Sequence, residues 1–350
     1  MVFLGLLPAV AVPMLFVTVV QDDSIAFDFR AFHRAAHDVL AGEDPYPAPH
    51  EPVGADAEPY VYPPLGALVS TPLTALSVDA AGLLVMVLLV LCVPATLLAL
   101  GVRDWRCHGL AFLWPPVLAA VQSGNLTLLL GLGAALVWRL RERAPASAGV
   151  LACMVAAKPL LWPLAVWHAA AGRARTALLA TAATLALLGL SWAAIGFDGL
   201  GGYGDLLRRL ENEVGEDAYT VRVLALDAGI PDAAARAAWL AVGGSLLAAV
   251  VALGRRGRER PAFALAVVAA VALSPLVWLH YFALLLVVVA LLQPRLGPAW
   301  FVPLALVVTP GSGHPTPFET TATLGAAALT VLLALRPGLL GGRPGGGART

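Results

Sequence analysis

Ala80–Gly101 reads AAGLLVMVLLVLCVPATLLALG, 22 residues without one charged side chain. A helix needs about 17–25 apolar residues to cross the hydrocarbon core of a bilayer. Outward from this run, similar stretches occupy 1–20, 61–77, 109–121, 125–138, 148–170, 176–195, 236–253, 261–279, 281–293, 298–310 and 320–335. Charge clusters separate them. The pattern predicts an all-α polytopic membrane protein with about 10–12 transmembrane helices.

Composition agrees. The chain has 350 residues, 59% hydrophobic and 13% charged, whereas soluble domains carry about 25% charged residues. A surface so poor in charge is solvated by lipid. The chain is too apolar for a disordered protein. With zero net charge and no basic run beyond Arg255–Arg260, it lacks the basic face that nucleic-acid binding requires. Cys92, Cys107 and Cys153 are an odd number at wide spacings, with neither a disulfide framework nor a CxxC pair.

The zero charge conceals an uneven distribution. Of 22 acidic residues, nine lie in 21–60 and eight in 197–235, while most arginines sit in short connections: Arg103 and Arg106, Arg139–Arg143, Arg173 and Arg175, Arg255–Arg260, and the tail from Arg336. Short basic loops face the cytoplasm, so the two acidic loops are expected outside. From 236 onward alternation follows this rule, with His280 outside and Arg295 inside. In the first half it fails if every segment crosses, and one arrangement that restores it has 61–77, with Pro63-Pro64, and 148–170, broken at Lys158-Pro159, enter without crossing. Such irregular backbone is tolerated only against protein or a water-filled cavity. The expected organisation is one membrane unit over 1–335 in the cell membrane, with Met1–Val20 as a retained first helix. A disordered cytoplasmic tail is expected at 336–350.

Several polar residues break the apolar pattern. In the first outer loop, Phe29, Phe32, Ala36, Val39 and Leu40 recur at helical spacing, which predicts a short amphipathic helix at the membrane surface. Asp28 begins it, either as an N-cap or as a catalytic carboxylate. Lys158 is the sole lysine and falls inside an apolar stretch. A cation there costs about 2.5–3.5 kcal/mol at the bilayer centre and needs an anion or a polar cavity, unless it snorkels to an interface. Gln122-Ser123-Gly124-Asn125 is a polar break or simply a turn. Tyr60-Val61-Tyr62-Pro63-Pro64 and Ser274-Pro275-Leu276-Val277-Trp278-Leu279-His280-Tyr281 fall on the predicted outer side, as site residues or as an aromatic belt. There is no Walker A loop, HExxH or GxSxG, and no D-x-D in either outer loop, so no metal ligand set is expected.

In order along the chain, these patches resemble glycosyltransferase family 87, polyprenol-phosphate-mannose-dependent alpha-mannosyltransferases of the GT-C superfamily. The resemblance rests on Asp28-Phe29-Arg30-Ala31-Phe32 followed by Gly42-Glu43-Asp44-Pro45-Tyr46, on Tyr62-Pro63-Pro64-Leu65, on a G-Q-x-N-like patch at 122–125, on Lys158-Pro159, and on an S-P-x-x-W-x-H-H-like patch. It spans about residues 1–285. Gly124 is shifted relative to Gln122, and Tyr281 stands where a second His is usual. The resemblance implies a GT-C-like helix bundle that passes a sugar from a polyprenyl phosphate to a glycan or glycolipid acceptor on the extracytoplasmic side, with inversion and no cofactor. Asp28 would be the general base. Lys158, His280 and Arg30 would meet the donor phosphate, and Tyr62, Gln122 and Asn125 would bind substrate. Two other readings remain: a transporter or flippase of lipid-linked saccharides, and a noncatalytic scaffold in which Asp28, Lys158 and His280 share no cavity.

Overall fold

A computed structural model describes residues 26–54, 59–308 and 314–336, and every regular element among them is helical. The expected first span at 1–20 and the tail beyond Arg336 lie outside the described residues.

The first described helix, α1 (Phe27–Ala41), carries the predicted amphipathic pattern. It buries Phe29, Ala31, Phe32, His33, Ala35 and Ala36, but Leu40, expected on that face, is 63% exposed. The helix ends at Ala41, one residue later, and is capped by Gly42, whose φ of +76° suits glycine. Its N-cap is Ala26, which makes no side-chain cap bond, so Asp28 stands inside the first turn and is not the N-cap. A carboxylate there is favoured by the helix dipole. The buried face rests on α2 (Leu65–Ser70) and the 3-10 turn Thr71–Ala75.

Four of the expected segments are single helices long and apolar enough to cross a membrane: α3 (Val78–Ala99) and, further on, Ala174–Ala194, Asp232–Arg255 and Pro317–Leu335. Helix α3 shows why. Ala81, Val85, Met86, Leu89, Val93 and Leu97 are buried, while Leu84, Val87, Leu88, Leu91 and Leu98 form an exposed apolar face. A helix apolar all round, with one face uncovered, suits lipid.

The remaining segments are broken where the sequence puts Pro or Gly. After the short α4 (Trp105–Ala111), helices α5 (Pro115–Ser123) and α6 (Thr127–Arg139) bend by 114° at Gly124–Leu126, as one broken span or a re-entrant loop. Helices α7 (Ala144–Ala157) and α8 (Pro163–Ala170) separate at Lys158-Pro159. The chain continues through α9 (Ala174–Ala194), α10 (Tyr203–Val214), α11 (Val221–Asp227), α12 (Asp232–Arg255) and α13 (Glu259–Ala272). A 3-10 turn, Leu279–Leu284, then feeds α14 (Leu285–Leu292), and α15 (Pro317–Leu335) closes the described chain. Residues Leu285–Leu291 are all buried, so this interrupted segment is surrounded by protein, as irregular backbone in a bilayer requires. Small residues seat α12: a Cβ on Gly254 would come within 2.8 Å of Ala170 Cβ.

The charged loops gather in two groups. The two acidic loops meet: Arg209 donates to the carbonyls of Ala48, Pro49 and Glu51 at 2.8–3.1 Å, and Glu213 accepts from the Val53 N–H at 3.1 Å. Tyr219 N–H donates to Val277 O at 2.7 Å, which attaches the turn before His280 to the same face. Connections at 139–143 and 171–175 and the start of α13 meet elsewhere, through Arg173 with Glu142 (2.6 Å) and Glu259 (2.9 Å).

Candidate functional site

Four interruptions in the helical chain converge to make the site. The first is the α5–α6 break. Gly124 adopts φ +68°, and the bonds Gly124 N–H to Val121 O and Asn125 N–H to Ala120 O end α5 in a Schellman arrangement. There is no room for a side chain here, since a Cβ on Gly124 would lie 2.8 Å from Ala26 Cβ and 3.1 Å from Phe29 Cβ. Gln122 acts through its backbone: its carbonyl accepts the Ala26 N–H at 3.1 Å and fixes where α1 begins.

Asn125, 2% exposed, joins the two parts. Its Oδ1 accepts from Thr127 N–H (3.0 Å) and Thr127 Oγ1 (2.7 Å), and its Nδ2 donates to Asp28 Oδ2 at 2.8 Å. Because both donors from Thr127 claim the amide oxygen, the amide nitrogen must face the carboxylate.

The second interruption is the approach to α2. Tyr62 stacks on Phe32 of α1 with ring centroids 4.8 Å apart, and it lies within electrostatic reach of Asp28 and Asn125. The turn holding it is tied down on all sides. Tyr60 Oη donates to Pro63 O (2.6 Å), Tyr46 Oη to Tyr62 O (3.0 Å) and Tyr203 Oη to Val61 O (2.9 Å). Through these bonds both acidic loops brace one tyrosine. Gly66 makes way for them, since a Cβ there would lie 2.7 Å from Phe32 Cε1.

The third is Lys158. A residue before proline is driven out of the helical region, and Lys158 has φ −146° and ψ 112° at the end of α7. Its side chain is 5% exposed, with Nζ 4.2 Å from the Tyr281 ring centroid and 5.3 Å from that of Tyr62. No hydrogen-bond acceptor reaches Nζ among the described residues. Cation–π contact compensates a buried ammonium only in part.

The fourth is the turn after α13. His280, 7% exposed, has its ring tilted beside that of Tyr281 with centroids 5.0 Å apart, and the Lys158 charge is within its electrostatic reach. Its Nε2 also lacks a partner among the described residues. Two buried nitrogens beside the same tyrosine are therefore without a hydrogen-bond partner among the described residues.

Asp28, Asn125, Tyr62, Lys158 and His280, predicted from separate patches, are thus connected through direct contacts and two tyrosine rings. Gln122 shapes the backbone, and Arg30 turns to Asp79 at the start of α3, 3.4 Å away. Tyr281, which the sequence offers as a site or belt residue and which stands where a second His is usual, turns its ring to the lysine. One participant escaped the sequence reading. Thr127 carried no signal beyond standing two residues after Asn125, the spacing of an Asx turn. Among the described residues, no three His, Cys, Asp or Glu side chains gather as a metal site would.

A family model, glycosyltransferase family 87, matches residues 60–279. The match includes Tyr62, Gln122, Asn125 and Lys158; Asp28 and Arg30 precede it, and His280 is one residue beyond its end. No curated protein and no solved structure matches the chain.

Proposed function

The chain belongs to glycosyltransferase family 87, and from that premise we propose that it moves mannose from a polyprenyl-phosphate donor to a hydroxyl of an extracytoplasmic or lipid-linked glycan, with inversion. The observation that carries this reading is the pair of buried nitrogens, Lys158 Nζ and His280 Nε2, that have no hydrogen-bond partner among the described residues and lie in one connected site with the Asp28–Asn125 pair.

Asp28 takes the proton of the acceptor hydroxyl while that oxygen attacks the anomeric carbon from the side opposite the phosphate. The carbon–oxygen bond to phosphate breaks, and its electron pair stays on the leaving oxygen. The donor is a phosphodiester with one negative charge, and the departing polyprenyl phosphate gains a second. Lys158 and His280 meet that added charge in a site that excludes water, where fixed donors are most effective. Asn125 holds Asp28 in place, and the stacked Phe32–Tyr62 pair gives the sugar an apolar wall.

Purified protein incubated with polyprenyl-phosphate-mannose and candidate acceptors should yield a product heavier by one hexose in mass spectrometry, with release of polyprenyl phosphate. Sugar crossing proteoliposomes without covalent transfer would replace this reading with transport.

A further inference from the structure

The end of the molecule away from Asp28 carries cations that form no ion pair among the described residues. Helix α3 begins beside α1, where Arg30 meets Asp79. Its 22 residues carry the chain about 33 Å, at about 1.5 Å per residue, to the opposite end. There a cavity of about 500 Å³ is lined by Gly101, Arg103, Asp104, Arg106, Pro294 and Arg295.

Only one of its three arginines is neutralised. Asp104 accepts from Arg106 Nε (2.9 Å) and Nη2 (2.8 Å), and from the Leu296 N–H at 3.1 Å, which holds the two loops together. Arg103 and Arg295 are exposed and form no ion pair among the described residues. Gln293 Nε2 donates to Leu333 O at 2.7 Å, so the end of α15, and Arg336 just after it, adjoin the same loop. The surroundings are those of a lipid boundary. Leu98, Trp105 and Phe301, each next to one of these loops in the chain, are all exposed.

We infer that this cavity is a second binding site, for the phosphodiester headgroup of an anionic phospholipid in the leaflet opposite Asp28. Basic pockets between membrane helices hold such headgroups. The exposed apolar side chains beside the arginines suit acyl chains, which a free phosphate lacks. Asp104 engages Arg106 and the Leu296 N–H, while Arg103 and Arg295 form no ion pair among the described residues and stay available.

The test is native mass spectrometry of the full-length protein with phosphatidylglycerol or with phosphatidylcholine of the same acyl chains. Wild type should retain phosphatidylglycerol selectively, also with inorganic phosphate present. Arg103→Gln with Arg295→Gln should weaken retention about fivefold for each arginine, about twenty-five-fold together. These guanidiniums hold no ion pair among the described residues, so the variant should melt as wild type does. Arg139→Gln with Arg175→Gln, in another basic loop pair, should leave retention unchanged. Equal retention of both lipids overturns the inference without any variant. So do displacement by inorganic phosphate, unchanged retention in the first double variant, or an equal loss in the second.

Discussion

Replacing Lys158 by Met separates a structural cation from one that serves the donor. Methionine keeps the unbranched apolar stem between Tyr62 and Tyr281 and removes the charge. In the unliganded protein, Nζ has ring faces at 4.2 and 5.3 Å and no hydrogen-bond acceptor among the described residues. Two such contacts contribute about 0.5–2 kcal/mol each, against several kcal/mol for desolvating an ion. Lys158→Met should therefore unfold at the same temperature as wild type or higher. The effect on transfer is opposite. A hydrogen bond to a charged group contributes about 1.5–3 kcal/mol, so losing the one to the donor phosphate should lower kcat/KM about 13- to 160-fold. Because the phosphate gains charge as the bond breaks, most of the loss should appear in kcat. Initial rates over a range of polyprenyl-phosphate-mannose, beside thermal melts of the same preparations, measure both. A variant that melts lower yet keeps kcat/KM within about twofold would make Lys158 structural and refute the reasoning.

Three further outcomes are expected. Thr127→Val removes one of the two bonds that orient the Asn125 amide and should cost about 1 kcal/mol, a roughly fivefold slower transfer, with Thr127→Ser restoring it; wild-type rates in the valine variant would remove Thr127 from the site. Gly124→Ala sets a side chain at φ +68° and 2.8 Å from Ala26 Cβ, so it should destabilise by about 2–4 kcal/mol from backbone strain and overpacking; an unchanged melting temperature would contradict that packing. The Arg106 guanidinium beside Asp104 holds its carboxyl well below the usual carboxylate range. The stability it adds is complete above the unfolded-state value of about 4 and disappears as pH falls through the lower folded-state value. Asp104→Ala should lower the melting temperature at neutral pH and reduce the acid-side decline, whereas a parallel displaced curve would exclude this linkage.

The all-helical membrane architecture was legible because uncharged runs such as 80–101 leave few alternatives. The path of each run was less so. Length and apolarity do not distinguish a straight span from one bent by 114° at Gly124, since the bend depends on a left-handed glycine fitting against Ala26 from another helix. Periodicity placed Phe29, Phe32 and Ala36 correctly on the buried face of α1, while Leu40 fell outside because Gly42 ends the helix before a neighbour can cover it. Asp28, Asn125, Lys158 and His280 stood out as polar residues bordering apolar runs. Their connection through Tyr62 and Tyr281 did not, because tyrosine is ordinary at a membrane boundary and its partners lie far apart in sequence. The Arg30 contact was equally hidden: two residues after Asp28, it lies 3.4 Å from Asp79 at the start of α3, a partner 49 residues away that no local pattern announces.

The decisive measurement concerns Asp28, whose carboxylate is to accept the acceptor's proton. Asp28→Asn keeps the size of the side chain and, with its amide oxygen toward Asn125 Nδ2, the bond at 2.8 Å. The variant should fold and melt like wild type and still bind polyprenyl-phosphate-mannose, yet transfer at least about a hundredfold less hexose per unit time. Wild-type turnover in a folded Asp28→Asn protein would contradict the assignment of the base and the mechanism built on it.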